Sequence, residues 1–196
     1  MKKLLSPLLL LFFTSSVFAQ DDPSNFLEVV ASNMIDKVEQ NKEALKKDNK
    51  LAAKLVKETL LPAIDTQVFA RKTLSSKTWK TLSANQQKRF TEQFINLVVG
   101  NYATGLSLYN GQTFKFSKPV FSKTGNAAKV RSSMEQSGST PIIIDYVLSV
   151  KTGSWKIIDL TIEGINMSKS YKSQFLPRIK SMGIDAFLDD MESEKS

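Results

Sequence analysis

Up to Gln112 the apolar residues of this chain recur every three or four positions, and beyond it they recur every second one. A switch from period 3.6 to period 2 places helices before strands, and the local punctuation agrees. Asp22-Pro23 supplies an N-cap followed by proline at the first helical position. Phe26, Val29, Val30, Met34 and Val38 then follow at helical spacing, which predicts a helix to about residue 45. Asp48-Asn49 caps a second helix carrying Leu51, Leu55 and Leu60 and stopped by Pro62, and Asp65 caps a short third one with Val68 and Phe69 facing inward. Residues 74–79 read as a turn. Ser83-Ala84-Asn85-Gln86 then matches the capping box, in which serine caps the N3 amide and glutamine reaches back to the serine amide. The stripe Phe90, Phe94, Leu97, Val98, Tyr102, Leu106 and Tyr109 predicts about seven turns of helix, closed by Asn110-Gly111.

Beyond the switch, residues 113–121 form one expected strand, with Phe114 and Phe116 on one face. Residues 127–134 form another, with Ala128, Val130 and Met134 set against Lys129 and Arg131. Two β-branched and aromatic runs then flank Lys151-Thr152-Gly153-Ser154, which is a hairpin signal. In the first run Ile142, Ile144, Tyr146, Leu148 and Val150 share an apolar face, and Ile143, Asp145, Val147 and Ser149 share a mixed one. In the second, Ile157 and Ile158 are adjacent and Trp155 falls on the face opposite Ile158, Leu160 and Ile162. That pattern fits a strand covered on both faces, or one with a bulge. After Gly164 the helical period returns over 168–182, with Tyr171, Phe175 and Ile179 on one face, a kink expected at Pro177 and a stop at Gly183. A final helical turn or two carries Ile184, Phe187 and Leu188, and the tail 192–196 is expected to fray. The sum is an α+β fold: a curved four-stranded antiparallel meander with several helices packed on one face.

The N-terminus stands apart. Lys2 and Lys3 precede the apolar run 4–13, and Val17-Phe18-Ala19 places small residues at −3 and −1 of a cleavage point before Gln20. This is the pattern of a secretory signal peptide, residues 1–19, and it is too short for a transmembrane helix. The expected mature chain, residues 20–196, is one domain, helical over 22–110, sheet over 112–164 and helical again over 168–191. With no cysteine in the chain, it carries neither a disulfide nor a lipid-anchoring thiol, which suits export to a bacterial periplasm. Two of the 27 Lys+Arg lie in the leader, leaving 25 cations against 19 acids, a balance of +6. For an exported protein that charge points to anionic headgroups or acidic protein surfaces, not to nucleic acid. The charges form no block of five or more, as on an ordinary solvated surface.

Absences decide most of the chemistry. The chain has no histidine and no cysteine, which removes Ser-His-Asp and Cys-His catalysis and ordinary zinc or copper sites. Lys151-Thr152-Gly153 lacks any S-x-x-K partner and reads as a turn. Gly100 and Gly105 have phosphate-loop spacing, but Leu106-Ser107 follows where lysine and a hydroxyl residue are required. Asp145, Asp159 and Glu163 leave carboxylate chemistry open. A long amphipathic helix over a curved sheet makes a wedge-shaped interior in which aliphatic and aromatic side chains form either a core or an apolar pocket.

Leu61-Pro62-Ala63-Ile64-Asp65, Trp79, Gln86 through Phe90 and Phe94 to Tyr102, the run 106–113 (LSLYNGQT) and Ile144-Asp145-Tyr146 stand in an order that resembles the MlaC family. The run 153–164 (GSWKIIDLTIEG), followed by a Phe-bearing helix and Gly183-Ile184-Asp185, resembles it most specifically. These are the periplasmic phospholipid-binding proteins of the Mla pathway, also called the toluene-tolerance Ttg2 family. Ser75-Ser76, where the family usually has a glycine after leucine, and Ile165-Asn166, in place of a common Val-Ser, depart from the pattern.

The resemblance implies an NTF2/cystatin-like fold enclosing an apolar pocket. It implies a carrier, not an enzyme, that shuttles glycerophospholipid between inner- and outer-membrane Mla complexes of a Gram-negative cell and so maintains outer-membrane lipid asymmetry. The partners it implies are an inner-membrane ABC transporter complex with an MCE-domain protein and an outer-membrane lipoprotein–porin complex, with no cofactor beyond the phospholipid cargo, no metal, no nucleic acid and a monomeric state. On this reading the acyl chains lie against the helical residues Trp79, Phe90, Phe94, Leu97, Val98, Tyr102, Leu106 and Phe175. They also lie against Phe114, Phe116, Val130, Met134, Ile144, Tyr146, Val147, Leu148, Ile158, Leu160 and Ile162 of the sheet, with rim lysines near the headgroup. Two chains of roughly 15 methylenes at ~0.8 kcal/mol each give about 24 kcal/mol of gross burial. That exceeds the ceiling of about 18–21 kcal/mol for net affinity, so pocket and ordering costs must offset part of it. Two other readings remain: a small-substrate enzyme on an NTF2-like scaffold with Asp145 or Asp159 as base, and a periplasmic chaperone-like module with an exposed apolar patch.

Overall fold

The computed structural model describes residues 22–151 and 153–193, without the side chains of Asn49, Tyr102, Thr104, Ser107 and Lys151. The leader expected over 1–19 and the last three residues of the tail lie outside the described residues.

Helix α1 (Pro23–Gln40) is capped by Asp22, whose carboxylate accepts from the Ser24 amide at 2.7 Å. It stops earlier than expected: the chain breaks at Asn41, and α2 (Lys42–Leu45) is a separate single turn. Asp48 and Asp65 cap α3 (Asn49–Thr59) and α4 (Thr66–Lys72), with a 3-10 turn at Leu61–Ala63 between them. The turn expected at 74–79 is instead mostly helix, α5 (Ser76–Thr81), because the Ser75 hydroxyl accepts from the Thr78 amide and starts it. The capping box is complete: Ser83 Oγ accepts from the Gln86 amide at 3.2 Å, and Gln86 Oε1 accepts from the Ser83 amide at 2.9 Å. Helix α6 (Ala84–Ser107) runs from it and ends one turn short of Asn110.

The expected first strand is divided into β1 (Thr113–Phe116) and β2 (Val120–Phe121), because Pro119 brings no N–H to the ladder. Both halves pair antiparallel with β3 (Ala127–Glu135), which continues through β4 (Ile142–Lys151) and β5 (Ser154–Ile162). A two-residue strand, β6 (Ile165–Asn166), extends the meander by one. Between β5 and β6, Glu163 and Gly164 both have positive φ, 48° and 79°, as the tight turn joining Ile162 to its partner Ile165 requires. The Glu163 carboxylate also accepts from the Ile143 amide and ties this turn to the start of β4. Asn166 caps α7 (Met167–Met182), which runs through Pro177 to Gly183, and α8 (Ile184–Ser193) closes the chain.

Two hydrophobic clusters result. The larger is helical and aromatic: Phe69, Phe90, Phe94, Tyr171, Phe175 and Phe187 stand mostly edge to face, with centroids 5.2–6.3 Å apart. Helix α8 is fastened over it by Arg89, which donates to Asp189 at 2.7 Å and Glu192 at 3.1 Å. The smaller cluster, Leu27, Ala128, Val130, Leu148, Trp155 and Ile157, joins α1 to one end of the sheet.

Candidate functional site

Between α1 and the concave face of the sheet lies a cavity of about 330 Å³. Its roof is one stripe of α1, Leu27, Val30, Ala31, Met34, Ile35 and Val38, spaced by three and four residues so that all point the same way. Its floor is Phe114 and Phe116 of β1, Met134 of β3, Ile144 and Tyr146 of β4, and Ile157, Leu160 and Ile162 of β5. Leu60 and Ile64 close one side, and Gly105, Leu106, Tyr109 and Gln112 close another where α6 gives way to β1.

A bulge explains how β5 builds its share. Leu148 pairs with Ile157 and Val147 with Asp159, so Ile158 is the extra residue. Strict alternation would set Ile157 and Leu160 on opposite faces; the inserted residue brings both to the cavity. The adjacent isoleucines in the sequence are the trace of this bulge.

No charged side chain lines the cavity among the described residues, and its polar groups are occupied. Tyr146 accepts a hydrogen bond from Ser132 at 3.3 Å, and Tyr109 donates to Glu39 at 3.3 Å; burial raises both phenols above their ordinary pKa. Gln112 accepts from the Asn110 amide at 2.7 Å and donates to Gln136 at 2.9 Å. Apart from these hydroxyl and amide groups, the lining is carbon surface suited to another apolar body.

Of the residues expected to contact lipid, Leu106, Phe114, Phe116, Met134, Ile144, Tyr146, Leu160 and Ile162 line this cavity. Trp79, Phe90, Phe94 and Phe175 are instead buried in the helical cluster, with Leu97 and Val98 packed against it. Val130 and Leu148 belong to the smaller cluster. Val147 points to the opposite face of the sheet, and Ile158 is the bulged residue. The side chain of Tyr102 lies outside the description. The sequence reading passed over the roof: α1 was recognised as amphipathic, but its stripe carried no sign that it faces a cavity instead of packed core.

The three carboxylates kept open for catalysis are all engaged, Glu163 by the Ile143 amide, and none lines the cavity. Asp145 accepts from Nε and Nη2 of Arg131, at 2.7 and 3.0 Å, and that hydrogen-bonded pair holds its pKa below the ordinary carboxylate value. Burial pushes Asp159 upward, but hydrogen bonds from Lys72 at 2.9 Å and Ser168 at 2.8 Å outweigh it and keep this carboxyl low as well. A general base works best with its pKa near the working pH, and both have moved the other way. Among the described residues no group of three or more acidic side chains is arranged to hold a metal ion.

The family model described as MlaC protein matches residues 28–193. The chain belongs to the MlaC family. It is similar to the intermembrane phospholipid transport system binding protein MlaC of Haemophilus influenzae, with 24% identity over 93% of this chain and 86% of that protein. The toluene tolerance protein ttg2D of Pseudomonas putida is 23% identical over 90% of this chain and 82% of its own length. A phospholipid-binding protein from Ralstonia solanacearum, solved in complex with a phospholipid, has the same fold. The TM-score is 0.80, with 89% of this chain and 98% of that one covered at 21% identity. None of the helices of this MlaC-family chain, among the described residues, is long and apolar enough to cross a membrane.

Proposed function

We propose that this protein is a periplasmic phospholipid carrier, exported by a leader cleaved after Ala19, that holds acyl chains between α1 and the sheet. The observation that carries the reading is the uncharged carbon lining of that cavity in a chain whose relatives are named for phospholipid transport and binding. Each buried methylene contributes about 0.8 kcal/mol, so an acyl chain of roughly 15 is held by about 12 kcal/mol of gross burial. Escape into water is correspondingly slow, and delivery requires contact with an acceptor.

At about 330 Å³ the cavity is near the small end of ligand pockets, which span about 300–1,000 Å³. The roof is the part built to give. Helix α1 is hydrogen-bonded to the rest of the fold at its ends, through Ser24 to the Ser117 carbonyl at 2.7 Å and Glu39 to Tyr109, and its middle meets the sheet through apolar side chains. Outward displacement of α1 enlarges the cavity without breaking a ladder hydrogen bond. The protein acts as a monomeric carrier, not an enzyme, exchanging lipid with an ABC transporter complex bearing an MCE-domain protein and with an outer-membrane lipoprotein–porin complex.

Native mass spectrometry of the protein purified from periplasm tests this. We expect a monomer with about one diacyl phospholipid. Ile144→Glu, which puts a charge into the cavity, removes the lipid, while Val147→Glu on the opposite face keeps it. A protein that is lipid-free and takes up none from vesicles overturns the proposal.

A further inference from the structure

On the far side of β5 from the apolar cavity lies a second cleft, of about 690 Å³, walled by α4, α5 and the start of α7. Five cationic side chains line it, Arg71 and Lys72 from α4, Lys80 from α5, and Lys169 and Lys172 from α7, against one carboxylate, Asp159. That carboxylate is neutralised from within by Lys72 at 2.9 Å. Arg71, Lys80, Lys169 and Lys172 make no ion pair among the described residues, although exposed ion pairs occur elsewhere on the surface.

We propose that this cleft docks an acidic segment of a partner protein. Cations from positions nearly a hundred residues apart are gathered by the fold into one concavity, where their mutual repulsion opposes folding. The one carboxylate present, Asp159, is already taken up by Lys72 and by the Ser168 amide and hydroxyl at the start of α7, so it does not offset the other four cations. An anionic partner relieves their repulsion. The shape selects the kind of partner. A planar anionic membrane meets protruding cations, whereas a concave site with Trp79 in its wall admits a protruding loop or helix end with glutamates or aspartates. In the linear sequence these cations look like ordinary scattered charge. The inference goes beyond the carrier reading and does not depend on it.

Titration of the isotope-labelled protein with a synthetic oligoglutamate peptide, followed by amide chemical shifts, tests it. Shifts should centre on Lys80, Lys169 and Lys172 and vanish at high ionic strength. Charge reversal at all three (K80E, K169E, K172E) should weaken binding by about tenfold or more, and neutralisation (K80Q, K169Q, K172Q) by less. Reversal of three remote lysines (K47E, K57E, K123E) should change it less than about twofold, the size expected for distant screened charges. Lipid content read in the same samples should stay the same. Equal weakening by the cleft and remote sets makes the effect one of net charge and overturns the proposal, as does absence of peptide binding. If the cleft variants lose binding to anionic phospholipid vesicles but not to the peptide, the occupant is a membrane surface and the proposal also fails.

Discussion

Asp159 sits where β5, α4 and α7 meet, and its carboxylate is shared out completely. Oδ2 takes Lys72 and the Ser168 hydroxyl, while Oδ1 takes the Leu160 amide at 2.9 Å and the Ser168 amide at 3.4 Å. Its neighbours in the run that resembles the family are equally structural. Trp155 is buried in the smaller cluster, Lys156 donates to the Pro62 carbonyl, and Glu163 with Gly164 makes the turn into β6. A stretch that looks as if it should carry chemistry therefore serves to hold β5 in place. Because the folded pKa of Asp159 lies below its unfolded value, the stability it contributes is fully present above the unfolded carboxylate pKa of about 3.9. That contribution is lost as pH falls through the depressed folded value. Asp159→Asn should accordingly cost about 1–3 kcal/mol at pH 7, a range discounted for the partly exposed Lys72. The gap to wild type should close as pH drops below about 4. Urea unfolding at the two pH values reads this directly, and a gap that persists in acid would show that the side chain acts through packing, not charge.

Among the elements, β5 is the one whose irregularity matters. Removal of Ile158 abolishes the bulge and forces a one-residue slip, which turns Trp155 and Ile157 away from the smaller cluster or Leu160 and Ile162 away from the cavity. Trp155 is 2% exposed, and losing a buried residue of that size costs about 3–5 kcal/mol, so deletion of Ile158 should abolish cooperative unfolding. Ile158→Ala, which keeps the count, should cost no more than about 2 kcal/mol for a half-buried side chain. Chemical denaturation followed by tryptophan fluorescence separates the two. The bulge was half legible in the sequence, since adjacent isoleucines break strict alternation without saying which residue is extra. Helix α6 was legible at its start, where the capping box is a local device, and less so at its end, where apolar spacing continues through Tyr109 after the helix has stopped. Helix α5 was missed because a single serine cap with only a turn and a half of helix behind it leaves no periodicity to read. For the cavity, alternation in the strands told which residues share a face, and the sheet half of the lining follows from it. The helical half does not. An apolar stripe is the same whether it meets packed side chains or a space, and the aromatic richness of α6 belongs to the core it shares with α7 and α8, not to the cavity.

At the scale of the molecule, these two apolar regions divide the labour. The helical cluster is dense with aromatic pairs and is closed by Arg89 and by Arg178, whose guanidinium lies 5.0 Å over the Phe187 ring. It needs nothing from outside to be complete. The region under α1 is lined by side chains that meet a space, and a bound acyl chain would supply the missing contacts there. Ligand binding stabilises what it contacts, by about 2.7 kcal/mol when free ligand stands at a hundred times its dissociation constant. Loss of cargo should therefore be felt unevenly. After delipidation, hydrogen exchange of the amides of α1 and β1 should quicken while those of α6, α7 and α8 change little, because local opening follows local contact. The same experiment on Ile144→Glu should reproduce the pattern without any delipidation step. If exchange instead quickens uniformly, the two regions unfold as one unit and α1 is not a separately yielding roof. If it quickens in neither, the cavity is complete as it stands, and cargo must leave by a route that does not involve displacing α1.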